Sequence, residues 1–291
     1  MRQYKGRARA KLNLYLEVGP RREDGYHDLC TVFQTIDLYD KVAITVHDKG
    51  GISLKCNWPY LPTDNRNLAY RAAELFFAHT GKDNPGIYIN MKKVIPVGAG
   101  MAGGSTDAAT VLRLLNRAFG YPLSKRELLE LGLQLGADVP FCLMGGTMLA
   151  EGVGEQLSPL PDLPPCGIVV CKPGFSVATK KAYELFDACA PEASPGFDGM
   201  RQALEQGDLD AVCGNLFNSL EAPVVAEYPP IGTLIRRLQE LGALGVRMTG
   251  SGAACFGIWP TVEEAEAAAA ELRKRWAAVF VTTPVPADEL R

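Results

Sequence analysis

The sequence predicts an α+β protein of two domains, and three observations indicate this. Residues 7–18 alternate apolar and polar side chains, which is typical of a half-buried strand. Residues 157–165 hold four prolines in nine positions, the composition of a stiff connector. Beyond the connector, strand and helix patterns mix, which indicates an α+β layer. We therefore predict an N-terminal domain over 1–156 and a C-terminal domain over 157–291.

The composition is ordinary for a globular protein and argues against several classes. Hydrophobic residues make up 47% and charged residues 22%, and the net charge is −3, so no overall positive field favours nucleic acid or a membrane surface. No apolar run approaches the ~20 residues of a membrane span, and we expect a cytoplasmic chain. The eight cysteines form no CxxC pair and there are three histidines, which favours reduced, buried thiols over a zinc site.

The first third of the chain predicts a meandering antiparallel sheet. Lys11 and Asn13 share one face of the alternating strand, where a solvated face is the simpler interpretation. A turn-rich loop at 19–25 leads directly to Tyr26 and His27. Three strand patterns and one helix pattern follow, with strands at 29–38, 41–47 and 52–55 and a helix at 67–79.

A glycine-rich stretch separates a predicted strand at 86–94 from a predicted helix at 108–119. We call residues 96–104 the glycine loop; its glycines are Gly98, Gly100, Gly103 and Gly104. Ser105, Thr106 and Asp107 offer side chains that can cap the helix. Glycines let backbone N–H groups face a ligand, and a helix start adds a partial positive charge, so we predict a phosphate-binding loop. The alternative is a flexible turn that binds nothing.

The middle of the chain predicts a capped helix and then a break. Ser124 and Glu127 form a capping-box pattern. Glycine and proline at 136–140 end the helix, so Asp138 is expected in a turn, where a surface aspartate is the simpler interpretation. Residues 141–150 predict a short strand or bend. The patterns after the connector are strands at 167–172, 254–259 and 279–283 and helices at 179–188, 200–206, 208–220, 230–241 and 263–276.

Residues 98–103 formally satisfy GxGxxG, so a dinucleotide site is one alternative. That use requires a second strand ending in an acidic residue about 20 positions later. Residues 120–127 instead predict a turn and a helix start. The Walker pattern lacks its lysine here, and protein-kinase motifs are absent from the sequence.

Several sequence blocks resemble the GHMP kinases, which include galactokinase, homoserine kinase, mevalonate kinase and phosphomevalonate kinase. The block IPVGAGMAGGSTDAA is similar to their glycine motif, with Met101 and Thr106 where leucine and serine are common. Further blocks in the expected order resemble the 4-diphosphocytidyl-2-C-methyl-D-erythritol kinases of this family. They are AKLNL at 10–14, REDGYH at 22–27, NLAYRA at 67–72, GADVPF at 136–141 and MTGSG at 248–252.

The resemblance implies a two-domain GHMP-kinase-like fold. The N-terminal domain would hold a mixed or antiparallel sheet with helices, the C-terminal domain would be α/β-plait-like, and the active site would lie in the cleft between them. The implied activity is ATP-dependent phosphorylation of a hydroxyl of the CDP-linked methylerythritol, on the methylerythritol phosphate route to isopentenyl diphosphate. ATP and Mg²⁺ would be the cofactors. The partners would be small molecules without nucleic acid or membrane, and the chain a monomer or weak homodimer.

The resemblance also implies roles for particular residues. Asp138 would be the general base and Lys11 its partner, which replaces the surface-turn interpretation of Asp138. The substrate would contact Asn13, Tyr26, His27, Asp138 and Tyr183. ATP would contact Asn67, Lys93, Pro96, Gly98, Ala99, Gly100, Met101, Ala102, Gly103, Gly104, Ser105 and Thr106. The third family motif would be Gly250, Ser251 and Gly252, and a side-chain ligand for Mg²⁺ is expected at most from Ser105.

Two other functions remain as alternatives from the sequence. One is another GHMP small-molecule kinase, of the homoserine or mevalonate type. The other is a non-catalytic nucleotide- or RNA-binding protein. Tyr26 favours the cytidyl substrate because a stacking ring needs a nucleobase. The sequence leaves open whether Tyr183 is a core aromatic, whether Lys93 is solvated, and whether residues 250–252 form a turn without ligand contact.

Overall fold

The computed structural model describes residues 2–189 and 193–287. They form two compact units. The first unit contains the chain up to Ala10, Tyr39–Ile95 and Ala102–Met144, and the second contains Lys11–Leu38, Pro96–Met101 and the chain from Gly145 onward. Both units are discontinuous in sequence because two long strands, β1 (Arg2–Arg21) and β2 (His27–Val46), contribute residues to each.

The long strands follow from extended alternation. In β1, Ala8, Ala10, Leu12 and Leu14 are all fully buried, which confirms the predicted strand and lengthens it. The prediction of two strands at 29–38 and 41–47 is wrong, because β2 is continuous through that point. Its inward alternation passes from Leu38 through Asp40 to Val42, so a buried carboxylate takes a position that usually carries an apolar side chain.

The first unit combines a mixed sheet with four helices. Its part of β2 pairs antiparallel with β4 (Ile87–Lys92), and β4 pairs parallel with β3 (Ile52–Cys56). The helices are α1 (Leu68–Thr80), α2 (Gly103–Ala118), α3 (Lys125–Leu135) and α4 (Asp138–Met144). Helix α2 packs against both α1 and α4. The predicted capping box of Ser124 and Glu127 at the start of α3 is confirmed.

The predicted cap of α2 is wrong. The helix begins at Gly103, after Ala102 in the left-handed conformation at φ 56°, and the Thr106 N–H already donates to the Ala102 carbonyl at 2.9 Å. The last two glycines of the glycine loop are therefore helical. Thr106 and Asp107 lie inside the first turns and are buried, so they cannot cap the helix start.

The predicted turn around Asp138 is also wrong. Gly136 ends α3, and Asp138 is the first residue of α4. Pro140 is tolerated there because an N–H in the first turn would have no partner within the helix. Residues 141–144 are accordingly helical, and the expected strand begins only after two glycines with positive φ, as β5 (Thr147–Glu151).

The second unit holds several strand pairs and one complete sheet. Strand β1 pairs parallel with β8 (Phe217–Asn218), β2 pairs antiparallel with β5, and β5 pairs antiparallel with β6 (Gln156–Pro159). The complete sheet is antiparallel in the order β11-β7-β10-β9, with β7 (Gly167–Lys172), β9 (Gly245–Met248), β10 (Cys255–Trp259) and β11 (Ala278–Thr282).

Helices complete the second unit around a common apolar core. They are α5 (Thr179–Asp187), α6 (Phe197–Gln206), α7 (Leu209–Gly214), α8 (Glu221–Glu227), α9 (Pro229–Glu240) and α10 (Val262–Arg273). Leu234 of α9 and Leu272 of α10 are buried in one cluster with Val169 of β7. The single helix predicted at 208–220 is wrong, because the Asn218 side chain donates to the Met248 and Gly250 carbonyls and holds that segment as β8. Among the described residues, every helix is too short or too polar to cross a lipid bilayer.

Candidate active site

Lys93, which directly follows β4, lies at the start of the glycine loop in a buried ionic cluster. Its ammonium donates to the Asp40 carboxylate, to Asp107 Oδ2 at 2.5 Å and to the Gly103 carbonyl at 3.2 Å. The side chains of Lys93 and Asp107 are 4% exposed, and that of Asp40 is fully buried. Lys93 thus joins the strand that enters the loop to the helix that leaves it.

Asp40 holds the same segment through the backbone. Its Oδ1 accepts from the N–H of Val94 at 2.5 Å and from the N–H of Ile95 at 2.9 Å. A charged acceptor makes stronger bonds to backbone N–H groups than a neutral one does. The two residues that precede the glycine loop are therefore fixed to β2.

The cluster holds two carboxylates for one ammonium, and the pKa values respond to that imbalance. The pKa of Asp107 is raised to about 7, because burial and the neighbouring Asp40 carboxylate raise it more than Lys93 lowers it. Burial alone would lower the pKa of Lys93, but the two carboxylates raise it. Asp107 Oδ1 is buried and has no hydrogen-bond partner among the described residues. Protonation of Asp107 would therefore leave one positive charge, on Lys93, paired with one negative charge, on Asp40.

The part of the glycine loop in the second unit needs glycine for steric reasons. Gly98 and Gly100 have φ of 60° and 73°. A Cβ on Gly100 would lie 2.1 Å from the Thr249 carbonyl oxygen, and one on Gly250 would lie 3.0 Å from the Gly100 carbonyl oxygen. The turn of Gly250, Ser251 and Gly252 consequently packs directly against the loop backbone.

Two contacts made by hydroxyl groups join further segments to the same region. Ser176 donates from Oγ to the Val97 carbonyl at 3.2 Å. The hydroxyls of Thr179 and Ser251 lie 3.2 Å apart. The sequence predicts neither Ser176 nor Thr179 at this site, since a hydroxyl residue near a helix start carries no signal beyond that of a cap.

Lys11 and Asn13 touch each other, as their shared strand face predicts. Lys11 Nζ donates to Asn13 Oδ1 at 2.6 Å and lies 4.8 Å from the centroid of the Phe33 ring. Asn13 Nδ2 donates to Thr31 Oγ1 at 2.8 Å, and the Asn13 N–H donates to Thr249 Oγ1 at 3.1 Å. The simpler interpretation of a solvated strand face is wrong, because Lys11 and Asn13 are only 5% and 3% exposed.

Tyr26, His27 and Tyr183 all lie in the second unit. Tyr26 is 65% exposed. The His27 and Tyr183 ring centroids lie 5.2 Å apart with an interplanar angle of 32°. Tyr183 also packs, half-buried, against the apolar core of this unit, so it has features of both interpretations left open by the sequence.

Both ring nitrogens of His27 are engaged. Nδ1 lies 2.9 Å from the Gly19 carbonyl oxygen, and Nε2 lies 3.2 Å from Asp187 Oδ1. Both partners are acceptor oxygens. A cytosine edge that bound the His27 ring would compete with these two acceptors. Asp187 was missed from the sequence, although it lies four residues after Tyr183 on the same helix face.

The remaining predicted residues lie in the first unit. Asp138 is half-buried at the start of α4, where a helix N-terminus favours a carboxylate. The Asn67 side chain caps α1, accepting from the Ala69 N–H at 2.9 Å and donating to the Pro62 carbonyl at 2.8 Å. Across residues 2–189 and 193–287, no three His, Cys, Asp or Glu side chains are grouped to hold a metal ion.

Comparison with known proteins gives the family. The model of the GHMP kinases N terminal domain matches residues 67–146, and the model of the GHMP kinases C terminal matches residues 200–278. A 4-diphosphocytidyl-2-C-methyl-D-erythritol kinase of Clostridium botulinum (strain Eklund 17B / Type B) is 43% identical over 279 residues, which cover 96% of this chain and 99% of that protein. The protein of the same name from Caldicellulosiruptor saccharolyticus is 43% identical over 277 residues, or 95% of each chain. This chain belongs to the 4-diphosphocytidyl-2-C-methyl-D-erythritol kinase family of GHMP kinases.

Solved structures agree with this family. A crystal structure of 4-(cytidine 5'-diphospho)-2C-methyl-D-erythritol kinase matches with a TM-score of 0.83 and 38% identity, covering 97% of this chain and 99% of that one. An L. major mevalonate kinase in complex with R-mevalonate matches at a TM-score of 0.74 and 16% identity, which shows the fold alone. The predicted α+β, two-domain GHMP kinase fold is confirmed. The predicted boundary at residue 156 lies between the two matched domain models and stays a prediction.

Proposed function

We propose that this family member uses ATP to phosphorylate 4-diphosphocytidyl-2-C-methyl-D-erythritol on a hydroxyl of its methylerythritol part, giving the 2-phosphate. The observation that carries the proposal is similarity over 96% of the chain to relatives of that name. The glycine loop supports it, because its glycines with positive φ and the start of α2 are features that bind phosphate groups.

Phosphoryl transfer depends mainly on positioning and on charge stabilisation. Backbone N–H groups of the glycine loop would hold the ATP phosphates, and the helix start would add a partial positive charge. Mg²⁺ would neutralise charge on the transferred group when it is bound with ATP. The ion would be held mainly by phosphates and water, as Mg²⁺ often is, with Ser105 as the one side-chain candidate.

Asp138 would accept the proton of the attacking hydroxyl, and Lys11 would counter the charge of the transferred phosphoryl group. The pairing of these two residues comes from the family resemblance. Two observations support the individual roles. Asp138 stands half-buried at a helix start, and the Lys11 ammonium donates to the Asn13 side chain.

The cytidine part of the substrate would be recognised around Tyr26, His27 and Tyr183. The Tyr26 ring is exposed and so accessible to a base, and base–aromatic stacking contributes about 1–3 kcal/mol in nucleic-acid complexes. The close pair of His27 and Tyr183 supplies a second aromatic surface in the same unit.

The proposed function is tested by ADP release with three alternative acceptors. The purified chain is given Mg·ATP with the CDP-linked methylerythritol, with homoserine or with mevalonate, and ADP formation is followed through a coupled assay. We expect turnover of the first acceptor alone. Turnover of homoserine or mevalonate without turnover of the cytidyl compound would refute the proposal.

Asp138→Asn tests the proposed base. The amide cannot accept the hydroxyl proton, so kcat should fall at least ~100-fold, while a non-hydrolysable ATP analogue should bind with unchanged affinity. Asp83→Asn, at an exposed aspartate of the same unit, is the matched control and should behave as the unmodified protein. Near-normal turnover of Asp138→Asn would show that another group accepts the proton.

A further inference from the structure

Three buried charged side chains tie together the two ends of the glycine loop. We call Asp40, Lys93 and Asp107 the stem clamp. Asp40 binds the N–H groups of the two residues before the loop, and Lys93 binds the Gly103 carbonyl and the Asp107 carboxylate in α2. The clamp therefore sets the distance between the chain segment that enters the glycine loop and the segment that leaves it.

The Lys93 ammonium has no donor left for a ligand. An ammonium carries three N–H donors. Asp40, Asp107 and the Gly103 carbonyl accept one each, and the side chain is 4% exposed. Lys93 is consequently placed to act on a nucleotide through the loop rather than by touching the adenosine.

Stability alone is a weak reason for such a cluster. Removing charged groups from water is costly, and apolar side chains of similar volume often stabilise a core as well as a buried ion pair does. What the cluster adds is a defined geometry, because its charge-assisted hydrogen bonds fix both distance and direction. A loop that binds phosphate through backbone N–H groups needs that geometry, since misplacement by ~1 Å can cost about 100-fold in rate.

We propose that Asp40, Lys93 and Asp107 are positioning residues for ATP, which hold the glycine loop in the conformation that receives the phosphates. The proposal rests on the proposed function in assigning ATP to this loop. If the clamp positions the loop, substitution of any of its three members should weaken ATP binding and leave the binding of the cytidyl substrate unchanged. If Lys93 instead contacts adenosine directly, only its own substitution should weaken ATP binding.

The test compares three variants in two measurements. Asp40→Asn keeps an oxygen for the N–H groups of Val94 and Ile95 but turns an amide donor toward Lys93. All measurements are made at pH 8, above the pKa of Asp107, where Asp107→Asn removes one charge and keeps the shape. Lys93→Met removes the ammonium. The affinity for Mg²⁺ with a non-hydrolysable ATP analogue is measured by titration calorimetry, and KM is measured for each substrate.

We expect each variant to raise the Kd of the ATP analogue about tenfold, the size of one lost charge-assisted hydrogen bond, and to leave KM for the cytidyl substrate within about twofold. Lys92→Met, at the exposed neighbouring lysine, is the matched control and should change neither value. Because asparagine has nearly the same shape as aspartate, Asp107→Asn tests whether the clamp positions the loop even if Lys93→Met fails to fold.

Two results would overturn the proposal. Asp107→Asn with an unchanged Kd for the ATP analogue would show that the clamp does not position the loop. Loss of affinity in Lys93→Met alone would assign Lys93 to direct adenosine contact. The calorimetric measurement contains no acceptor, so its outcome is independent of the substrate test. Intact ATP binding without turnover of the cytidyl compound would refute only the proposed function.

Discussion

The stem clamp of the first unit and the His27–Asp187 contact of the second unit both lie beside proposed ligand sites, but they differ in burial. The clamp side chains are at most 4% exposed. The Asp187 side chain is 33% exposed, and it also lies 3.9 Å from Arg21, whose side chain is 64% exposed. All side chains of the clamp are shielded from water, whereas in the second cluster the His27 ring is 4% exposed and only its partners are partly open to water.

This difference in burial predicts a difference in energy. Removing one partner of a buried ion pair leaves an uncompensated charge and typically costs 3–5 kcal/mol. Removing a carboxylate that water can reach, as it can reach Asp187, costs about 0–1 kcal/mol, because water replaces it. We infer that the proposed ATP side is organised by contacts formed on folding, whereas the proposed base-binding side can be adjusted by ligand and solvent.

Lys93→Met should give the largest effect on stability. The substitution leaves Asp40 and Asp107 buried without their counter-ion, so the free energy of unfolding should fall by ~3–5 kcal/mol at pH 8. Urea denaturation followed by circular dichroism measures this value. A loss below ~1 kcal/mol would mean that water reaches the clamp, and it would remove the contrast with the partly exposed Asp187.

Lys92→Met is the control for that measurement. Lys92 is the preceding residue, it is exposed, and the substitution makes the same chemical change. Its effect on unfolding should stay within ~0.5 kcal/mol, as is usual for surface positions. Similar losses in the two variants would show that the side-chain change itself, and not the clamp, lowers the stability.

Much of the fold could be predicted from the sequence because alternation and helical periodicity are local signals. Strand β1, helix α1 and the capping box of α3 are confirmed. The errors arose where tertiary contacts outweigh local patterns. The Asn218 side chain bonds to carbonyls about 30 residues away and ends a predicted helix, and Gly103 and Gly104 are helical although glycine has low helix propensity.

The candidate site was predictable where a motif carried it and not where packing did. The glycine loop and the shared face of Lys11 and Asn13 followed from spacing. The clamp did not, because Asp40 and Asp107 are 67 residues apart in sequence and no local pattern links them. One signal was available, since Asp40 occupies an inward position of an alternating strand, where a charged residue requires a buried partner.

Asp107→Asn should change how stability depends on pH. The pKa of Asp107 is about 7 in the folded protein, above the ordinary value of 3.8, so between these values the folded protein binds more protons than the unfolded chain. Its contribution to stability is complete below about pH 4 and is lost as the pH rises through about 7. Asparagine does not titrate, so the stability of the variant lacks this pH dependence. From pH 5 to pH 8, the free energy of unfolding of the variant should therefore rise by at least ~1 kcal/mol relative to that of the unmodified protein.

Urea denaturation at several pH values measures this difference. Asp83→Asn serves as the control, because Asp83 is exposed and its substitution should give a curve parallel to that of the unmodified protein. A constant difference between Asp107→Asn and the unmodified protein from pH 5 to pH 8 would show that Asp107 is not the group that titrates in this range.

Asp187→Asn should give the smallest effect. Asp187 is one-third exposed, and the Gly19 carbonyl still holds the other nitrogen of the His27 ring, so the free energy of unfolding should change by less than ~1 kcal/mol. KM for the cytidyl substrate should rise no more than about threefold, an effect of the same size. Tyr26→Ala is the reference for a lost stacking contact and should weaken the cytidyl substrate by ~10–100-fold with little effect on ATP. If Asp187→Asn raised KM for the cytidyl substrate as much as Tyr26→Ala does, His27 and Asp187 would belong to the base-recognition site itself. The stem clamp and the His27–Asp187 contact would then differ in burial but not in the size of their effect on ligand binding.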